Sequence, residues 1–377
     1  MSKVIPRWVP EQIGRGIDSQ AGARIVQLTS AALISHNIYN EQHYTSRDGS
    51  RLAFNRCPSC DVNRDPSELW VSDFNLRYTA QVDSGVHVAV ASNAFSDDIF
   101  YVRNHPGGTP RVTRLNLMTL EKEDLFAFGA CPLPEAGTAT VSPDGRYFVS
   151  GMRIKGRRYG LYRIDLAQAK WDVFHEHDDI LNPHVQYEPG AGRDLLVQLN
   201  RGGEIDAHGN IIRLVGEEGA TLYLIDSEGG NVRPLPVGKP HTAGVTGHEC
   251  WIGKTGRVLL TLEDAAGSLC SVAGGDTRCQ PLAKGLNLMH VNASPCGRFF
   301  IADDMQSGLL HVGSFKTGKT RALCDSKASG GSPQYTHAHP YLTPDLRRAI
   351  FNSDRTGIGQ VFAAEIPSGF LEQLELV

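Results

Sequence analysis

The chain has 377 residues, of which 41% are hydrophobic, and its 37 Lys and Arg residues against 41 Asp and Glu residues give a formal net charge of -4. A nearly balanced charge without a basic block argues against binding to a nucleic-acid backbone. No apolar run approaches the length that spans a bilayer, and the first residues lack the apolar segment of a signal peptide, so we expect a cytoplasmic protein without membrane or nucleic-acid partners.

A turn followed directly by a short apolar strand recurs along the chain, after a polar leader and a first predicted strand at residues 24–30. The Ser-Pro-Asp-Gly turn at residues 142–145, for example, precedes the apolar residues 147–149. The fourth unit is degenerate and is followed by a polar, glycine-rich insertion from about residue 200 to 218. The turns lie at residues 46–50, 95–98, 142–145, 188–190, 253–256, 294–297 and 343–345. Such regular spacing indicates a repeat architecture.

Each unit continues with a third strand that ends near an acidic residue, such as residues 160–165, and with a more polar fourth strand. Four strands per unit at a pitch of about 50 residues predict an all-β fold, a seven-bladed β-propeller that forms a single domain over residues 1–377. A two-sheet sandwich would explain the short strands but not their repeating order. Residues 24–30 have no blade of their own, so we expect them to pair beside the last blade and close the ring, unless residues 371–377 take that place.

Histidines are concentrated in the stretches just before the turns, which are the innermost strands in this register. They are His36, His184, His248, His290, His337 and His339. In a strand, His337 and His339 would share a face, which suits a metal ion, and Gln334 would join them only from a preceding turn. Because imidazoles and an amide are neutral ligands, the ion would keep its charge for an anionic substrate, with His248 beside it as a base.

Two residue patterns have a plainer alternative. A propeller channel is polar and wet, so the histidines can also line it as ordinary hydrogen-bonding groups. Cys57 and Cys60 form a Cys-x-x-Cys pair with no second pair at zinc-ribbon spacing. We interpret this pair as a surface turn with two free thiols rather than a metal or redox site.

Several short motifs together resemble those of a known family. They are Gly22-Ala23, His36, Tyr39, Gln42, the turn at residues 47–50, His248-Glu249-x-Trp251, Gln334-x-x-His337-x-His339-Pro340, residues 343–345 and Ser353-Asp354. In these positions, over nearly the whole chain, the sequence resembles the oligogalacturonate lyases, intracellular seven-bladed propellers of pectin breakdown that use manganese. The resemblance implies that a divalent metal ion, with Mn²⁺ favoured over other ions, binds four residues. They are His290, Gln334, His337 and His339. It also implies that His248 is the catalytic base.

One position departs from that family. The family has an arginine that helps to hold the substrate at the start of the third strand of the fourth blade, where this chain has Thr221. Arg201 and Arg213, in the insertion, are the candidates for binding the substrate instead. Because of this difference, a second possibility stays open, namely that the protein is a lyase for a different uronate-containing oligosaccharide.

The resemblance implies an enzyme, a carbon-oxygen lyase that cleaves short oligogalacturonates, such as saturated or unsaturated digalacturonate, by β-elimination. His248 would remove the C5 proton while the cation stabilises the charge that builds beside the C6 carboxylate. His36, Tyr39 and Gln42 are candidates for contacts with sugar hydroxyls. The rival is a non-catalytic propeller scaffold, which would share the Ser-Pro-Asp-Gly repeats but would not need the histidine motif. No Gly-x-Ser-x-Gly segment is present, which disfavours a peptidase.

Overall fold

The computed structural model describes residues 2–3, 5–59, 66–105, 108–135, 138–154, 159–206, 210–264, 267–283 and 285–376. In these ranges almost every regular element is a strand, and the helices are a 3₁₀ turn at Gln334–Thr336 and α1 at Phe370–Glu375. This confirms the all-β prediction. No helix in the same ranges is long and apolar enough to cross a membrane.

The strands of the first part of the chain are β1 (Ser2–Lys3), β2 (Val9–Pro10), β3 (Ile13–Ile17), β4 (Arg24–Gln27), β5 (Ile34–His36), β6 (Arg51–Cys57), β7 (Ser67–Asp73), β8 (Tyr78–Ser92), β9 (Asp98–Arg103), β10 (Arg111–Asn116) and β11 (Glu121–Ala127). The middle part contains β12 (Ala139–Val141), β13 (Tyr147–Arg153), β14 (Tyr159–Asp165), β15 (Lys170–His177), β16 (Gln186–Tyr187), β17 (Asp194–Leu199), β18 (Glu204–Ile205), β19 (Ile211–Arg213), β20 (Thr221–Asp226) and β21 (Arg233–Pro234). The last part contains β22 (Cys250–Trp251), β23 (Arg257–Thr261), β24 (Leu269–Ala273), β25 (Gln280–Ala283), β26 (Leu288–Ala293), β27 (Phe299–Asp304), β28 (Leu309–Ser314), β29 (Thr320–Asp325), β30 (Tyr341–Leu342), β31 (Arg348–Ser353) and β32 (Gln360–Glu365).

Most strands belong to antiparallel sheets that follow one another in chain order. Four sheets have four strands each: β12 to β15, β16-β17-β20-β21, β22 to β25, and β26 to β29. The first sheet is wider because the 15-residue strand β8 pairs with β7 on one side and with β9 on the other. The insertion after β17 contributes the separate hairpin β18-β19. The order of turn, apolar strand and polar strand read from the sequence therefore corresponds to the order of strands within the sheets.

Both faces of the sheets are covered by apolar side chains. The apolar residues that follow each turn form central strands, as Phe148 and Val149 do in β13, and both faces of such a strand are buried. One cluster joins Phe100 of the first sheet to Phe148 of the next, and later clusters join each sheet to its successor. A further cluster joins Ile350 of the last sheet to Tyr101 of the first. Each sheet is therefore held between two others by hydrophobic burial.

The first strands of neighbouring sheets contact one another. β12 contacts both β8 and β16, and β26 contacts β22 and β30. The segments that lead into these strands are consequently brought to a common region, although they are far apart in the sequence. This arrangement gathers the histidines.

The N-terminal strands complete the last sheet, whose order is β3-β4-β32-β31-β30. β4 pairs with β32 from Arg24↔Glu365 to Phe362↔Gln27. The alternative that residues 371–377 form the closing strand is wrong for the described part of this segment, because residues 371–375 belong to helix α1. Phe370 and Leu374 lie one helical turn apart and are both buried against the last sheets.

Candidate metal centre

Three histidines converge on one point. A nitrogen atom from each of His290, His337 and His339 lies within 4.8 Å of the others. His290 is fully buried in β26, His339 is buried just before β30, and His337 is half-buried. These residues come from two neighbouring sheets, 47 and 49 positions apart, so the site depends on the fold and not on a local motif alone.

Hydrogen bonds fix which nitrogen faces the centre in two of the three rings. The Nδ1–H of His290 donates to Asp303 Oδ2 at 2.7 Å, and the Nε2–H of His337 donates to the Gly331 carbonyl at 2.7 Å. The remaining two nitrogens, His290 Nε2 and His337 Nδ1, lie 3.2 Å apart. Nε2 of His339 is buried and has no hydrogen-bond partner among the described residues. Two lone pairs without hydrogens therefore face each other, and a nitrogen of His339 lies within 4.8 Å of them, which suits a cation.

The local environment keeps the rings of His337 and His339 neutral and able to bind a metal. Burial, followed by the charges of neighbouring imidazoles, holds the pKa of His339 well below its ordinary value. The same causes lower the pKa of His337. Gln334 begins the 3₁₀ turn that leads into His337, so it lies in a preceding turn as its predicted role requires, and its side chain is exposed. Its role as a fourth ligand stays a prediction.

The backbone around His337 and His339 is not a strand, and the predicted strand geometry is wrong here. The two residues follow the 3₁₀ turn, and His339 has a left-handed φ of 43°. Two buried asparagines hold this irregular segment: Asn37 Nδ2 donates to the His339 carbonyl at 2.8 Å, and the Ala338 carbonyl accepts the Asn352 N–H at 2.8 Å. The two rings still lie close, with centroids 5.6 Å apart, because the loop turns both inward.

His248 stands directly beside the three histidines. Its ring centroid is 4.3 Å from that of His290, and its Nδ1 lies 3.1 Å from the hydroxyl oxygen of Tyr39. Burial, followed by the charges of His290, His184 and His337, lowers the pKa of His248 well below its ordinary value. The imidazole is therefore neutral at physiological pH, the form that can accept a proton.

A buried group of ionisable residues extends the site on the other side of Tyr39. His184 Nδ1 forms an ion pair with Glu41 Oε1. Burial acts to lower the pKa of His184, but Glu41 and then Glu249 outweigh it and raise that pKa to about 9. Glu249 is fully buried, and neither of its carboxyl oxygens has a hydrogen-bond partner in the described part of the chain. Burial, reinforced by Glu41, raises its pKa to about 8.

Two of the three predicted sugar contacts lie near this centre. The ring of Tyr39 packs against that of His339 at a tilt, with centroids 4.7 Å apart. His36 ends β5, and burial lowers its pKa to about 4. Gln42 is engaged elsewhere, because its amide group donates to the Ala139 carbonyl and accepts the Ser92 N–H, both at 2.7 Å.

The two arginines of the insertion are bound to residues outside the histidine cluster. Arg201 donates to the carbonyls of Gly219, Lys239 and Glu218. Arg213 lies exposed on β19 and pairs with Glu204 of β18. Thr221, at the start of β20, donates its hydroxyl hydrogen to the Val237 carbonyl. The substrate-binding roles of Gln42, Arg201 and Arg213 remain predictions that these contacts do not favour.

The structure describes one of the two cysteines of the Cys-x-x-Cys pair. Cys57 ends β6, is buried and lies 3.5 Å from the Ser67 hydroxyl, which contradicts a surface position for this thiol. Cys60 lies outside the described residues.

Four residues that hold the site are not among those predicted from the sequence: Asp303, Glu41, Asn37 and Asn352. Asp303 carried a signal, since it ends an apolar strand directly after the His290 strand in the chain. Glu41 lies two residues from Tyr39 and one from Gln42, and both of these are predicted sugar contacts. The asparagines carried none, because nothing in the sequence indicates that their side chains contact the 337–339 backbone.

These features define a class: an all-β protein of successive antiparallel sheets with a candidate three-histidine metal centre where neighbouring sheets meet. No protein-family model matches the chain. An oligogalacturonate lyase from Dickeya dadantii is 24% identical over 400 residues, which cover 93% of this chain and 95% of that protein. An oligogalacturonide lyase from Pectobacterium atrosepticum is 24% identical over 402 residues with the same coverage.

A solved structure described as an oligogalacturonate lyase in complex with manganese shares the fold. It matches 98% of this chain and 100% of that chain with a TM-score of 0.75 and 20% identity. The sequence relatives and this solved structure together show that the chain is similar to oligogalacturonate lyases over nearly its whole length.

Proposed function

We propose that the chain is a metal-dependent lyase that cleaves short oligogalacturonates by β-elimination at the three-histidine centre. The observation that carries the proposal is the convergence of nitrogen atoms from three imidazoles, with the neutral ring of His248 beside them. The names of the two sequence relatives support the substrate class.

The metal would bind His290, His337 and His339, with Gln334 as the fourth protein ligand. These neutral ligands suit several divalent ions, and the solved relative with manganese favours Mn²⁺. When bound, the ion supplies positive charge that stabilises the enolate-like transition state beside the C6 carboxylate. Asp303 and the Gly331 carbonyl hold two of the ligand rings in the required tautomer.

His248 is the general base in this proposal. The C5 proton of a uronate is weakly acidic, and a positioned neutral imidazole typically contributes about 10²–10⁴-fold to the rate of such a proton transfer. Burial among other imidazoles keeps the ring neutral, and Tyr39 orients it. His36 and Tyr39 line the approach to the centre as sugar contacts.

For the architecture, we propose one domain, a propeller of seven four-stranded blades. The count follows if β8 is shared between two blades, one with β5 to β7 and one with β9 to β11, and if β4 supplies the fourth strand of the last blade. The hydrophobic packing of the last sheet against the first supports a closed ring, with β4 acting as the closing strand.

The setting proposed for this reaction is pectin degradation in the cytoplasm. None of the seven described cysteines forms a disulfide bond with another described residue, as expected for a reducing compartment. The partner is then a short uronate oligosaccharide, without nucleic acid or membrane.

A direct test incubates the purified protein with saturated and unsaturated digalacturonate in the presence of Mn²⁺, followed by chromatography and mass spectrometry of the products. We expect the products to be a free galacturonate and an unsaturated uronate. A chelator should abolish their formation. Thr221 favours a second candidate, a lyase for another uronate-containing oligosaccharide, which would leave digalacturonate intact but cleave a different uronate. A protein that binds uronates without cleaving any of them would instead be a scaffold.

A further inference from the structure

Tyr39 lies at the junction of the metal centre, the base and the buried ion pair. Its ring centroid is 4.7 Å from that of His339 and 6.1 Å from those of both His248 and His184. Its hydroxyl oxygen lies 3.1 Å from His248 Nδ1. The residue is half-buried and is not wholly enclosed by the protein.

A β-elimination needs a proton donor as well as a base. The bond from C4 to the glycosidic oxygen breaks with its electron pair on the oxygen, and a sugar alkoxide is a poor leaving group unless it is protonated. His248 cannot supply this proton while it acts as the base. A second group with a transferable proton must therefore lie beside it.

Tyr39 keeps its proton in the resting state. A phenol ordinarily ionises near about pH 10, so its proton is present at neutral pH. If Nδ1–H of His248 donates to the phenolic oxygen, the Nε2 lone pair of His248 is available as the base. The phenolic hydrogen is then free to point to another acceptor.

We propose that Tyr39 is the proton donor to the leaving glycosidic oxygen, paired with His248 as the base; the inference rests on the proposed lyase function. The C5–H bond breaks, its proton moves to His248 Nε2, and its electrons form the C4=C5 double bond. The C4–O bond breaks with its electron pair on the oxygen, which takes the phenolic proton of Tyr39. The Nδ1 proton of His248 then passes to the phenolate, which leaves both groups neutral, and the imidazole regains its starting tautomer by exchange with solvent.

The test separates proton removal from cleavage. Wild-type, Tyr39→Phe and His248→Ala proteins are incubated with digalacturonate and Mn²⁺ in D₂O, and both cleavage and deuterium at C5 of the recovered substrate are measured. Tyr39→Phe should cleave at least about 10²-fold more slowly, the lower end for loss of a general acid, while it still incorporates deuterium at C5. His248→Ala should lose both. The matched control is Tyr44→Phe, which removes a buried hydroxyl that contacts the Val90 carbonyl and should behave as wild type.

The affinity for Mn²⁺, measured by calorimetry, shows whether Tyr39→Phe has damaged the metal site through His339. We expect it to stay within about twofold of the wild-type value. The proposal is overturned if Tyr39→Phe cleaves at the wild-type rate, loses deuterium incorporation together with cleavage, or loses the metal. If the wild-type protein itself neither cleaves nor exchanges digalacturonate, the proposed function fails, and this outcome is distinct from all three.

Discussion

His290 Nε2 lies 3.2 Å from His337 Nδ1, although the other nitrogen of each ring already donates a hydrogen bond, to Asp303 and to the Gly331 carbonyl. Two lone pairs at this distance repel each other unless a proton or a cation lies between them. A proton is disfavoured because burial lowers the pKa of His337. A divalent cation bound to both nitrogens would remove this repulsion.

Removal of His337 should abolish metal binding and activity together. His337→Ala leaves two histidines and Gln334, which hold a divalent ion less well, so we expect the protein to be purified without stoichiometric metal. Elemental analysis and the shift of Tm on addition of Mn²⁺ measure this. His87→Ala is the matched control, because His87 lies away from the centre and bonds to Asn104. A His337→Ala protein with full metal content would contradict the assigned ligand.

Removal of His248 should separate chemistry from binding. His248→Ala should keep the metal and the fold while kcat falls at least about 10²-fold, since the ring acts on the proton and not on the ion. Because its pKa lies well below 6.5, we expect wild-type kcat to stay level as the pH falls from 7 toward 6. Near wild-type elimination by His248→Ala would place the base elsewhere.

Asp303 should control metal affinity without touching the metal. Asp303→Asn keeps the size of the side chain but removes the carboxylate that accepts the Nδ1–H of His290, so the ring loses both orientation and basicity. Loss of such a partner typically weakens metal binding by about 10–100-fold. Competition with a fluorescent chelator measures Kd. Asp144→Asn, in an outer turn, is a control, and equal affinities for the two variants would show that Asp303 has no such role.

The strand order and the convergence of the histidines could be predicted because they depend on patterns repeated along the chain. Apolar strands such as β13 and β31 follow turn residues directly, and the histidines occupy equivalent places in successive units. The conformation at residues 334–339 could not be predicted from alternation, because Asn37 and Asn352 hold it from distant positions. The contacts of Arg201 could not be predicted for a related reason: the carbonyls that accept its hydrogen bonds come from two segments, around Gly219 and Lys239, whose paths the sequence does not specify.

The contribution of β4 to the last sheet should appear in stability. Ile25 is buried at the β4-β32 pairing and packs with Phe351 and Phe362. Ile25→Ala should lower the free energy of unfolding by about 2–5 kcal/mol, the usual range for such a truncation in a core. Urea unfolding measures it, with Ile5→Ala as a control because Ile5 is 94% exposed. Equal stability of the two variants would argue against β4 as a closing strand.

Glu249 should make the stability of the protein depend on pH. Its pKa rises from 4.5 to about 8 on folding, because burial disfavours the charged form and Glu41 adds to this while His184 opposes it. The folded state therefore binds this proton more tightly, and the stabilisation is complete below about pH 4.5 and lost as the pH rises to about 8. The pKa of His184 is raised from 6.5 to about 9, so the stabilisation that this residue contributes is also lost as the pH rises from about 6.5 to about 9. We expect the free energy of unfolding to fall from about pH 6.5 to 9.

Replacement of Glu249 by an amide tests this origin of the pH dependence. Glu249→Gln is neutral at every pH, so its free energy of unfolding should fall less steeply with rising pH, and the slope that remains belongs to His184. Urea unfolding at several pH values in this range measures both slopes. Glu217→Gln is the control, because Glu217 is exposed and should keep the wild-type slope. A Glu249→Gln protein with an unchanged slope would mean that Glu249 does not take up a proton on folding, and the buried charge of His184 would then have to balance two carboxylates.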